Sequence, residues 1–101
     1  MTGIVDHSDR LLTGRTRDIS ETGLSVILPT IRVGERDLSE PGTPLRVLLL
    51  LPQQTVIMHA TLVRCSPFGP RLGQGYLLGV HITHMSERDR TDYLAYLRSL
   101  G

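Results

Sequence analysis

The stretch "VIMHATLV", residues 56–63, decides the fold class. Val56, Met58, Ala60 and Leu62 fall on one parity, while Ile57, His59, Thr61 and Val63 fall on the other. Successive side chains of an extended strand point to opposite faces, so this period of two predicts a strand with one buried face. The same period recurs on both sides of it. Leu24, Val26 and Leu28 alternate with Ser25 and Ile27, and Leu78, Val80 and Ile82 alternate with Gly79, His81 and Thr83. Residues 45–51 are more continuously apolar and predict a strand buried on both faces or against a partner. Turn signals separate the runs: "PQQ" at 52–54, "SPFGP" at 66–70 and "GQG" at 73–75. The segment 29–44, "PTIRVGERDLSEPGTP", reads as a long loop rich in Gly, Pro and charge.

One segment departs from this period. "SERDRTDYLAYLRSL", residues 86–100, spaces Tyr93, Leu94, Leu97 and Leu100 as a helix does. Ser86 can accept from the first amides and Asp89 can return a bond, a cap worth ~1 kcal/mol. The expectation is an all-β body with one C-terminal α-helix. Several short strands favour a small closed barrel over an open sheet, because closure removes exposed edges.

Length and composition narrow the function classes. A chain of 101 residues predicts a single domain, 1–101. Eleven basic and ten acidic residues leave a formal charge of +1, and there is no Trp. Such a chain lacks both the basic surface and the stacking platform that DNA or RNA binding uses. The single Cys65 excludes an intramolecular disulfide and a Cys-rich zinc site, and predicts a small packed hydrophobe. The longest purely apolar run, "VLLLL" at 47–51, is too short for a bilayer, so no direct membrane insertion is expected. "MTGIVDHSDR" has no apolar signal core and starts like a strand without a preceding turn, which predicts a fragment of a longer protein. His81 and His84, three apart on a strand, face opposite sides and make an awkward metal pair; His7 and His59 have no ligand-like neighbours in sequence. No nucleophile, base and oxyanion frame can be assembled, so neither an enzyme nor a catalytic cofactor is expected.

The candidate site is "RTRDISETGL", residues 15–24, which carries Asp18-x-Ser20-x-x-Gly23. On a strand Asp18 and Ser20 point to one side, and Gly23 permits a sharp turn and a close approach. A carboxylate matches the adjacent N1–H and N2–H donors of guanine, and the hydroxyl and turn amides suit a phosphate or a purine acceptor. The competing reading is a plain turn in which Asp and Ser bond their own backbone.

Taken in order, "GRTRDISETGLSVILP", "PGTPLRVLLLLPQQTVIMHATLVRC" and "GYLLGVHITHMSERDRTDYLAYL" resemble the PilZ domain family over roughly residues 4–100. The shared features are the Asp-x-Ser-x-x-Gly turn, Gly42 before an apolar hairpin, Leu78-Gly79-Val80 on a late strand, and a closing helix introduced by Ser. The resemblance implies a six-stranded antiparallel β-barrel that binds the bacterial second messenger cyclic di-GMP as a regulatory ligand. Asp18, Ser20 and Gly23 then occupy the positions that contact a guanine and its adjoining phosphate. The family's other half-site, an Arg-x-x-x-Arg pair before the first strand, has no match here. Arg10 and Arg15 are five apart, and Arg15 and Arg17 are two apart. Arg15 and Arg17 are expected to alternate with Asp18 in facing and to be solvated strand residues. Either the chain begins downstream of the pair, or the domain has lost its ligand and serves as a protein-interaction barrel. The opening "GIVDHSDRLLTGRTRDISETGL" looks most like the barrel of a bacterial cellulose synthase. That likeness implies a host glycosyltransferase catalytic domain in the same longer chain, in the cytoplasm at the inner membrane face.

Overall fold

The computed structural model describes residues 2–5, 11–33, 36–37, 39–69 and 75–100, with 2–5, 33, 36 and 37 described by their backbone. Its elements in chain order are β1 (Thr2–Val5), β2 (Leu11–Ile19), β3 (Gly23–Leu28), β4 (Arg32–Val33), β5 (Arg36–Asp37), β6 (Pro44–Leu50), β7 (Thr55–Pro67), β8 (Tyr76–His84) and helix α1 (Glu87–Leu100). Five long strands curl into an antiparallel wall in the order β2-β3-β8-β7-β6. The four-residue β1 pairs with both β2 and β6 and closes the ring. This is the antiparallel barrel with a terminal helix that the alternation predicted.

The alternation fills the barrel. Leu24, Val26 and Leu28 of β3, Leu45, Val47 and Leu49 of β6, Val56, Met58, Ala60 and Leu62 of β7, and Leu78 and Val80 of β8 are all buried. Each fully buried Leu or Met contributes ~1.5–3 kcal/mol relative to exposure, so this inner parity carries the fold. The run 45–51 obeys the same rule, so the first of its two expected readings, burial on both faces, does not hold. Its outward Leu50 is 50% exposed, because the outer wall of a barrel faces solvent. The loop 29–44 contains the short ribbon β4–β5, with Arg32 opposite Asp37, and drops Ile31 into the core.

Helix α1 starts where Ser86 Oγ accepts the Asp89 amide at 3.1 Å. Tyr93 is completely buried, Leu94 and Leu97 are half-buried, and Leu100 at the last turn is exposed. The apolar stripe therefore packs by its middle, and Leu100 contributes less than its spacing implied.

The ladders are irregular at three places: between Thr16 and Asp18 where β2 pairs β3, and between His59 and Ala60 and between Leu62 and Arg64 where β7 pairs β8. An extra residue in one strand bends it and re-aims side chains. Two of these irregularities shape the candidate site.

Candidate functional site

The Asp-x-Ser-x-x-Gly frame is the turn joining β2 to β3. The Ser20 amide donates to the Gly23 carbonyl at 2.8 Å, and the Ser20 hydroxyl donates to that same oxygen at 3.1 Å. The Gly23 and Thr22 amides donate to Ser20 Oγ at 3.2 and 3.4 Å. Ser20 is thus the clip of its own turn, as the plain-turn reading held for that residue. Of the two uses expected of Gly23, the geometry shows the close approach and not the sharp turn. Its φ lies outside the left-handed region, but a Cβ there would sit 2.4 Å from the Val80 carbonyl oxygen. Glycine lets β3 lie against β8, and the Ile82 amide docks the turn by donating to the Thr22 carbonyl at 2.8 Å.

Asp18 is not spent on the turn. Ser25 Oγ donates to Asp18 Oδ2 at 3.0 Å from the neighbouring strand, while the Asp18 side chain stays 76% exposed. Arg17 Nε lies 3.7 Å from the same oxygen. That contact corrects the expected alternation: the irregularity after Thr16 turns Arg17 and Asp18 outward together, so they share a face. The Arg17 guanidinium also lies 5.6 Å from the centroid of the Phe68 ring. Arg15 is exposed beside Leu50, Tyr96 and Leu100 and does not join Asp18. Arg10 lies outside the described residues.

Asp18, Ser20 and Gly23 border one shallow groove of about 300 Å³, together with Ser25, Gly79 and Arg64. The sequence reading missed Ser25 and Arg64 as neighbours of Asp18. Only register reveals them: Asp18 pairs Ser25, Ser25 pairs Gly79, and Gly79 pairs Arg64, a single row across β2, β3, β8 and β7. The helix reaches the same turn from below. The Tyr93 hydroxyl donates to the Ser20 carbonyl at 2.7 Å. Burial pushes the Tyr93 phenol up from 10.0 to about 12.

This barrel, its serine-clipped turn and its closing helix are matched as a unit by the family model for the PilZ domain, over residues 1–99. The chain belongs to the PilZ domain family. No curated protein matches it. The family is that of the cyclic di-GMP receptors, so this PilZ domain is a regulatory binding domain.

Elsewhere on the PilZ domain, His59 and His84 come together where the β7–β8 ladder shifts, with ring centroids 6.0 Å apart. Sequence spacing gave His59 no such neighbour and set His84 against His81 instead. No group of three or more His, Cys, Asp or Glu suited to a metal occurs among the described residues. Cys65 is half-buried against the core, in keeping with a packed hydrophobe. No helix among the described residues is long and apolar enough to cross a membrane.

Proposed function

We propose that this PilZ domain binds cyclic di-GMP in the groove beside the β2–β3 turn, with Asp18 as its principal anchor. The observation that carries this reading is the state of the Asp18 carboxylate: braced by Ser25, yet open to solvent at the rim of the groove. A braced carboxylate accepts the N1–H and N2–H donors of a guanine without first losing side-chain freedom. Gly23 and Ser20 contribute by holding the turn closed and against β8 at the groove edge. Arg17, beside Asp18, supplies a cation for the adjoining phosphate. The ligand regulates by its differential affinity for two packings of the barrel on a host. That host is a cellulose synthase-type glycosyltransferase domain at the cytoplasmic face of the inner membrane, a reading supported by the likeness of the opening residues.

Calorimetric titration of cyclic di-GMP into the chain tests the assignment, with GTP as control. Selective micromolar or tighter binding is expected, and Asp18→Ala should weaken it by ~1.5–3 kcal/mol, more than tenfold. An Asp18→Ala chain that binds as tightly as its parent refutes the anchor. Absence of binding by the parent favours the protein-interaction barrel.

A further inference from the structure

We propose that Arg64, lying across Gly79, is a specificity-determining residue of the groove that reads the O6/N7 edge of the guanine held by Asp18. This inference rests on the nucleotide reading above. Arg64 lies in β7, 46 positions after Asp18 in sequence, and reaches the groove through two features of the sheet. The ladder shift between Leu62 and Arg64 places Val63 and Arg64 both outward, where regular alternation would have sent one of them in. Gly79 then leaves the strand between Arg64 and Ser25 bare. A Cβ at position 79 would meet Arg64 Cγ at 3.3 Å and Nε at 3.6 Å, so the arginine stem runs over the place where a side chain would stand. Among the described residues Arg64 pairs with no carboxylate. A cation therefore stands at one end of the row that lines the groove and the Asp18 anion at the other.

The row Asp18, Ser25, Gly79, Arg64 spans three strand spacings of ~4.8 Å, or roughly 14 Å between the outer backbones. The Arg64 stem, lying over Gly79, shortens that span from its far end. A guanine suits the pair because its N1–H and its O6/N7 edge meet at O6. A carboxylate on the first and a guanidinium on the second sit around one corner of the base, not at its two ends. Arg is suited to O6 and N7 by its planar fork. Adenine reverses both contacts: its N1 is an acceptor facing Asp18, and its 6-amino group is a donor facing Arg64. The pair Asp18 and Arg64 therefore selects guanine over adenine.

Calorimetry with cyclic di-GMP and cyclic di-AMP on the parent, Arg64→Ala and Arg64→Lys chains decides the matter. The parent should prefer the guanine dinucleotide. Arg64→Ala should weaken that binding about tenfold or more and shrink the preference over cyclic di-AMP, with an unchanged thermal midpoint since the residue is exposed. Arg64→Lys should recover affinity through its charge but not the preference, for it lacks the fork. Parental binding by Arg64→Ala, while Asp18→Ala is impaired, overturns the role of Arg64 and leaves the groove assignment standing. Full recovery of preference by Arg64→Lys overturns the base-reading role. No binding of either dinucleotide by the parent overturns this inference together with the nucleotide reading.

Discussion

The bond from Tyr93 to the Ser20 carbonyl ties α1 to the β2–β3 turn, and alkali should loosen it in a calculable way. The phenol is neutral in both folded and unfolded chains below pH 10, so its contribution is constant there. Between pH 10 and about 12 the unfolded chain releases its proton and the folded chain keeps it. The unfolded state then binds fewer protons, and stability falls as pH rises. A difference of about two pH units corresponds to roughly 2.7 kcal/mol by the upper end of that window. All eleven basic residues are arginine, so no lysine titrates alongside it. Tyr93→Phe keeps the buried ring and removes the titration. At neutral pH it should cost about 1–2 kcal/mol for the lost bond, lowering the melting midpoint by roughly 4–8 °C per kcal/mol. Urea unfolding of both chains across the alkaline range is the assay, and the difference between parent and variant isolates Tyr93. If the variant melts with its parent and loses stability equally steeply above pH 10, the tie does not exist.

Two further substitutions probe the frame around the groove. Gly23→Ala puts a methyl group 2.4 Å from the Val80 carbonyl oxygen, a backbone atom that cannot rotate away, and should cost about 1–3 kcal/mol in urea unfolding. Parental stability would mean that β3 and β8 are not in such close contact. Ser86→Ala deletes the acceptor for the Asp89 amide and should cost ~1 kcal/mol, with faster hydrogen exchange in the first turn of α1. Unchanged exchange there would show that another group caps the helix.

The barrel was legible because inward parity is a local property: Val56, Met58, Ala60 and Leu62 announce their strand without reference to any other segment. The same holds for α1, where Tyr93 and Leu97 mark the packed face. Half of the candidate site was equally local, since Asp18, Ser20 and Gly23 share one turn. The other half was hidden by register. Ser25 and Arg64 become neighbours of Asp18 only through three successive pairings, and two of the ladders involved carry irregularities that alternation cannot foresee. Arg17 was misassigned for the same reason, its parity with Asp18 having been counted across a shift in the ladder. Leu50 misled differently: an apolar residue on the outer wall raises local hydrophobicity without being buried.

The seam between β3 and β8 has a consequence for timing. These two strands pair across roughly half the chain length, whereas β2–β3 and β7–β8 are each joined in sequence order. Asp18 and Ser25 belong to the first of those units, Gly79 and Arg64 to the second. A chain emerging from the ribosome can complete either unit alone, but the groove exists only after the distant edges zip together, the slowest class of contact to form. Competence to hold anything in it thus requires both units together, and a molecule bound there acts as a clasp across their seam.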